Sequence, residues 1–105
     1  MKSEYMSDIC YVLSIPCTDL PFDNTLTDLY EILDKLGDRW SLYYISDPIE
    51  IEGKIHFKVL TMGYRLTTVL RIKEKMNGFH MKRLNIETAL ICADVFGVIM
   101  DCSCL

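Results

Sequence analysis

The sequence feature that most constrains the fold is the dipeptide Asn77-Gly78, which stands between two runs of alternating apolar and polar residues. Asn-Gly in that setting is the strongest short-range signal for a two-residue type I′ turn that joins antiparallel strands. We therefore expect residues 67–83 to form a β-hairpin. Its register pairs Lys73 with Lys82 across the two strands.

A second segment, residues 54–59, alternates strictly, with Ile55, Phe57 and Val59 on one side of a predicted strand. Its basic residues then point to the opposite side, as do those of the hairpin. If both segments belong to one sheet, they share an exposed surface, which we call the predicted basic face. Its members are Lys54, His56, Lys58, Arg71, Lys73, Lys75, His80 and Lys82.

The predicted basic face has two interpretations. Antiparallel sheets commonly expose one polar face to water, and lysines there protect a sheet against edge-to-edge association. Alternatively the face binds an anionic partner, because Lys73 opposite Lys82 costs roughly 0.2–1 kcal/mol unless an anion lies close to both. In the second interpretation the partner-binding residues are Lys54, Lys58, Arg71, Lys73, Lys75, His80 and Lys82.

Two further strands and a helix are predicted in the first half of the chain. Residues 9–15 are rich in strand-forming residues and stop at Pro16, which cannot donate to a ladder. Residues 40–45 have the aromatic and β-branched composition of a second strand. Between these strands, apolar residues recur at helical spacing over residues 26–36, and Gly37 is placed to end that helix.

The last predicted element is a helix that begins at Asn85, a good N-cap residue, and covers residues 86–100. It is apolar on nearly all sides, which is typical of a helix that is deeply buried or that has a second partner, such as another copy of the chain. For residues 98–101 a strand is the alternative prediction, because Gly97 is unfavourable inside a helix and β-branched residues follow it.

Together these elements predict an α+β fold in a single domain covering residues 1–105. We expect an antiparallel or mixed sheet of about five strands with two helices on one face. The expected element order is β-α-β-β-β-β-α.

The net charge of −4 conceals an uneven distribution. Residues 1–53 carry eleven acidic and three basic residues, whereas residues 54–105 carry four acidic and eight basic residues. Much of the acidic charge falls on the outward side of the first helix, which is an alternative contact surface for a basic partner. We call it the predicted acidic face, and its members are Asp28, Glu31, Asp34 and Asp38.

No motif for a nucleotide, a cofactor or a catalytic nucleophile is present, so we expect no cofactor and name no catalytic residue. The two histidines are interpreted as solvated side chains, with the acid and base of a nuclease as the alternative. Five cysteines and no apolar leader indicate reduced thiols in a cytoplasmic protein that spans no membrane. Cys102 and Cys104 are spaced too closely for a typical metal site, so we expect no metal.

These observations favour a small non-enzymatic interaction protein that binds a macromolecular partner, most simply another protein, through its charged surfaces. Many inhibitors encoded by phages and mobile elements have this size and lack of motifs, and by that analogy the target is a host defence or nucleic-acid-processing complex. The second hypothesis is direct binding of RNA or DNA by the predicted basic face, with or without cleavage. The acidic overall composition disfavours that hypothesis. Homo-oligomerisation through the 86–100 helix is compatible with both.

Overall fold

The sheet is built around a buried central strand, β1. The computed structural model describes residues 10–17, 22–85, 87–89 and 91. In chain order the elements are β1 (Cys10–Pro16), α1 (Phe22–Leu36), β2 (Leu42–Ile45), β3 (Ile49–Ile51), β4 (Lys54–Met62), α2 (Leu66–Lys75) and β5 (Phe79–Leu84). All strand pairs are antiparallel. The predicted class, an α+β domain with a five-stranded sheet, is confirmed.

Strand β1 lies between β4 and β5, and β2 and β3 both pair with the outer side of β4. Each residue of β1 from Cys10 to Ile15 is buried, which agrees with its nearly continuous apolar sequence. Such a run is typical of a strand that is covered on both faces. The sheet therefore has packing on both sides of its centre.

Helices α1 and α2 cover one side of the sheet, which we call the helical face. Its buried core residues are Tyr11, Leu13, Ile15, Leu29, Leu33, Phe57, Val59, Tyr64, Val69 and Ile72. The opposite side, which we call the second face, has a separate cluster. Its buried residues are Cys10, Val12, Leu60, Met62, Leu84 and Ala89. We expected two helices on one face of the sheet, α1 and the last predicted helix. The structure instead places α1 and α2 on the helical face. Ala89, which belongs to the last predicted helix, packs on the second face.

The prediction of a β-hairpin at residues 67–83 is wrong for its first strand, because Leu66–Lys75 form helix α2. Val69 and Ile72 are three residues apart, and both are fully buried in the helical-face core. Side chains at that spacing share one face of a helix, whereas in a strand they point to opposite faces. The second side of the hairpin is present as β5.

Asn77 ends α2 instead of forming a hairpin turn, with a φ of 56°. The Gly78 N–H donates to the Lys73 carbonyl at 2.7 Å, and the Asn77 N–H donates to the Glu74 carbonyl at 3.4 Å. These two bonds make a Schellman motif, in which the residue after the helix cap has a left-handed conformation. Asparagine tolerates this conformation in both settings, so Asn-Gly alone does not distinguish a helix end from a hairpin turn.

The two-residue hairpin turn lies at Glu52-Gly53, with φ values of 52° and 80°. It joins β3 to β4 and pairs Ile51 with Lys54. Positive φ at both central residues is the requirement of a type I′ turn. Strand β3 therefore supplies the fifth strand of the sheet, in place of the strand that was predicted before Asn77.

The predicted start of the last helix at Asn85 is confirmed. The Thr88 N–H donates to the Asn85 Oδ1 at 2.8 Å, and the Ala89 N–H donates to the Asn85 carbonyl at 3.0 Å. Residues 98–101 and the terminal cysteines lie outside the described residues. Within the described part of the chain, no helix is long and apolar enough to cross a membrane.

Candidate functional site

The structure divides the predicted basic face into two groups, so the prediction of one continuous basic surface is wrong. Phe57 and Val59 of β4 belong to the helical-face core, and the even-numbered residues of this strand therefore point to the second face. Lys82 of β5 lies opposite Val12, whose side chain is also on the second face. The group on this face consists of Lys54, His56, Lys58, His80 and Lys82.

The second group, Arg71, Lys73 and Lys75, lies on α2, which packs against the helical face. The predicted pairing of Lys73 with Lys82 is therefore absent, because Lys82 pairs with Val12. The structure places these two lysines on opposite layers of the domain.

Strand β5 contains a bulge at His80, which decides what the second face presents. Ser14 lies opposite Phe79 and Val12 lies opposite Lys82, so three residue steps on β5 match two on β1. His80 has a φ of 55° and is the extra residue. As a result Phe79 and Lys82 are on the same face although they are three residues apart.

Beside this bulge a pocket of about 340 Å³ opens on the second face. Its lining residues are Pro16, Ile51, Glu52, Lys54, His56, Phe79 and His80. The Phe79 ring contacts both imidazoles edge to face, with its centroid 4.9 Å from that of His56 and 4.7 Å from that of His80. The pocket thus combines basic groups with an aromatic wall.

The expectation that both histidines are solvated is wrong for His56, which is only 4% exposed. Its Nδ1 has no hydrogen-bond partner among the described residues. Burial lowers the pKa of His56, a hydrogen bond between its side chain and the Lys54 backbone partly offsets this, and the charges of Lys58, Lys54 and His80 lower the pKa further. The ring is therefore neutral at neutral pH.

This pKa shift predicts that the protein loses stability as the pH falls below 6.5, the ordinary pKa of histidine. The unfolded chain takes up a proton at His56 near that pH, and the folded chain does so only at a lower pH, so protons favour unfolding in the interval between. Urea unfolding curves measured from about pH 7.5 down to about pH 5.5, above most carboxylate titration, test this. His56→Gln should flatten the dependence, and an equally steep curve for this variant contradicts the prediction.

Ser14 is a second buried polar residue on this face, fully buried and with no partner for its Oγ among the described residues. It lies on β1 opposite Lys58 on one side and Phe79 on the other. Buried polar atoms without partners are rare in folded proteins and cost roughly 1–3 kcal/mol each. Two such atoms in the same region of one sheet face indicate a candidate ligand site.

The four residues of the predicted acidic face, which lie on and just after α1, are all exposed: Asp28, Glu31, Asp34 and Asp38. Asp28 and Glu31 line a groove of about 280 Å³ together with Lys35 and with Lys75 of α2. Basic charge is therefore close to that end of the face. Asp34 points the other way, towards β2.

Asp34 is tied to the edge of the sheet by Tyr43, whose hydroxyl donates to the Asp34 Oδ1 at 2.7 Å. Burial and this bond to a carboxylate raise the pKa of Tyr43 to about 12. The ring of Tyr30, on α1, lies 6.1 Å from the ring of Tyr43, centroid to centroid. Tyr30 is 45% exposed, although its helical spacing predicted a buried residue.

The edge of the sheet at β2 carries a concentration of exposed large side chains that the sequence did not single out. Trp40 is 68% exposed and Leu42 is 56% exposed, and the exposed ring of Tyr30 contacts the ring of Tyr43, the residue of β2 that follows Leu42. Trp40 is held in an ordered turn, because its N–H donates to the Asp38 Oδ1 at 2.9 Å. We call Tyr30, Asp34, Asp38, Trp40 and Leu42 the β2-edge surface.

Within the described residues, no group of three or more histidine, cysteine or acidic side chains is arranged to hold a metal ion. No known protein family model and no curated protein matches the chain. The function is therefore argued from the residues themselves.

Proposed function

We propose that this is a non-enzymatic interaction protein that binds another protein through the β2-edge surface. The observation that carries the proposal is the exposure of Trp40 in a turn ordered by Asp38. Tryptophan and tyrosine are the side chains most enriched among the residues that dominate binding energy at protein interfaces. The Arg39 guanidinium lies 5.3 Å from the centroid of the Trp40 ring, and a side chain that already has such a contact loses less conformational entropy on binding.

The acidic residues around this surface indicate the chemistry of the partner. Asp34 and Asp38 border Trp40 and Tyr30, and Asp28 and Glu31 continue the exposed acidic charge along α1. Opposite charge at the rim of an interface accelerates association and selects partners more than it adds affinity. The partner we propose is a protein whose contact surface has a basic rim.

A groove that binds nucleic acid is a surface of that kind, because it is lined by lysine and arginine. A protein that places carboxylates and an aromatic anchor over such a groove excludes the nucleic acid. We therefore propose inhibition of a nucleic-acid-processing complex, such as a host defence complex, as the result of binding. The size of the domain and its negative net charge are compatible with this role.

The test uses a photo-cross-linking residue in place of Leu42, next to Trp40, to capture the partner in the cells that express the protein. With the purified partner, Trp40→Ala is expected to weaken binding by roughly thirtyfold or more. Asp34→Lys is expected to slow association and to reduce its dependence on salt. Both residues are exposed, but Asp34→Lys also removes the acceptor of the Tyr43 hydroxyl, so urea unfolding of this variant is measured beside its binding.

Lys73→Glu and Glu74→Lys on α2 are the matched controls, since both residues line a different pocket from the groove that contains Asp28 and Glu31. These variants should bind the partner with the affinity of the wild type. Binding that survives Trp40→Ala but is lost in the α2 variants would overturn the proposal and move the interface to α2.

Direct binding of nucleic acid is a second candidate, favoured by the lysines of β4 and β5 on the second face beside the Phe79 ring. Lysines contact phosphates, and aromatic rings stack on bases. A mobility-shift assay at two salt concentrations separates the two candidates, because phosphate contacts make binding fall steeply with salt. A salt-dependent shift that Lys54→Ala and Lys82→Ala weaken favours this candidate over the first.

Homo-oligomerisation through the 86–100 helix stays a proposal. Ile91, in the described part of that segment, is 64% exposed and is a suitable contact for a second copy. Analytical sedimentation at increasing protein concentration tests whether the protein self-associates. A monomer at every concentration contradicts homo-oligomerisation.

A further inference from the structure

The second face combines three features in one place: a pocket, basic groups and, in the pocket wall, a buried polar atom without a partner among the described residues. The pocket lies on the face opposite α1, so its role is independent of the acidic face. His56 forms part of its wall and is almost completely buried, with its Nδ1 unpartnered among the described residues. A buried polar atom at the wall of a pocket is a group that a ligand can satisfy.

The donors around this pocket suit an oxyanion. Lys54 and His80 are exposed lining residues that carry an ammonium and an imidazole group, and the buried imidazole of His56 lies two residues from Lys54 on β4. Lys58 acts electrostatically on His56, so its charge reaches the same site. Donors on different strands favour an anion with several acceptor oxygens, as a phosphate group has, over a single carbonyl.

The remaining walls of the pocket are apolar. Pro16, Ile51 and the Phe79 ring line it beside the donors. Its volume of about 340 Å³ lies at the small end of the range for ligand sites. This is space for a phosphate group together with a small organic group that contacts the Phe79 ring.

We propose that the pocket lined by the ends of β1, β3, β4 and β5 binds a small phosphate monoester, with Lys54, His56 and His80 holding the phosphate oxygens and Phe79 contacting the organic group. His56 is the inner donor, and Lys54 and His80 close the site from the solvent side. Glu52 is the one carboxylate among the residues that line the pocket, and it opposes the anion.

Because Glu52 lies beside Lys54 in the pocket lining, two substitutions are expected to change the phosphate affinity in opposite directions. Lys54→Ala removes an attractive charge from the rim of the pocket, and Glu52→Gln removes a repulsive one. Both residues are exposed, and the Glu52 side chain can be changed while its turn keeps Gly53. We expect the first variant to weaken phosphate binding by roughly tenfold or more and the second to strengthen it by a few-fold, on the order of threefold.

The experiment is a nuclear magnetic resonance titration of the full chain with inorganic phosphate and with phenyl phosphate. Binding should move the imidazole nitrogen signals of His56 towards those of the protonated ring, because an adjacent anion favours the charged form. Phenyl phosphate should bind more tightly than inorganic phosphate, since only phenyl phosphate reaches the Phe79 wall. Lys75→Ala on α2 is the control and should bind both probes as the wild type does.

The following results would overturn the proposal of a phosphate site. If neither probe perturbs His56, or if Lys54→Ala and Glu52→Gln change the affinity in the same direction, the pocket is not an anion site. If single-stranded RNA binds here far more tightly than phenyl phosphate and with a steep salt dependence, the ligand is a polynucleotide and not a small ester. None of these outcomes depends on the β2-edge surface or its partner.

Discussion

Replacing Leu13 with alanine is expected to lower the free energy of unfolding by about 2–5 kcal/mol. Leu13 is fully buried at the centre of β1, where it belongs to the core under α1 and α2. The substitution removes its buried methyl groups and leaves a cavity that the strand cannot close, because β4 and β5 hold it on both sides. Small domains are stable by only about 5–15 kcal/mol, so this change removes a large part of the total.

Chemical unfolding monitored by circular dichroism measures this loss. Leu70→Ala is the matched control, because Leu70 is a leucine of α2 that is 44% exposed. This variant should change the free energy of unfolding by no more than about 0.5–1 kcal/mol, since an exposed leucine buries little area. Equal losses for the two variants contradict the assignment of Leu13 to the core.

The second large effect is expected from Gly63→Ala, with a loss of about 2–5 kcal/mol. Gly63 has a φ of 79°, which costs any other residue about 1–2 kcal/mol. A Cβ atom at this position also lies 2.8 Å from the carbonyl oxygen of Trp40. That contact is with backbone, so the Trp40 turn has to move, and we expect the affinity for a partner at the β2-edge surface to fall as well.

Gly53→Ala separates the two causes. Gly53 has a φ of 80°, nearly the same as Gly63, but a Cβ there meets nothing within 4 Å. The control should therefore lose only the conformational cost of about 1–2 kcal/mol, and it should keep the β2-edge surface intact. If the two variants are equally destabilised in urea, crowding at Trp40 contributes nothing.

The sequence was sufficient to predict the elements whose pattern has only one interpretation. The helical spacing in α1 and the alternation in β4 both led to elements that the structure contains. The run before Asn77 was ambiguous, because its basic residues alternate with apolar ones as in a strand while Val69 and Ile72 are spaced as in a helix. Burial of that pair against the core decided in favour of the helix.

The same reasoning explains which parts of the candidate sites were predictable. The acidic face depends only on positions along one helix, so periodicity was enough to predict it. The phosphate pocket depends on a bulge at His80 and on the pairing of β5 with β1, which no local pattern reveals. The burial of His56 also follows from neighbours on other strands, since Ile49 and Pro16 flank it.

The position of β1 in the middle of the sheet has a consequence for how the chain folds. Its partners on the two sides come from much later in the sequence, with Cys10 opposite Met62 on one side and opposite Leu84 on the other. Each pairing closes a long loop, and the loss of chain entropy on loop closure opposes folding before the contacts form. Of the strands that the structure describes, β1 therefore leaves the ribosome before the others, but its hydrogen bonding is complete only after β5 has been synthesised.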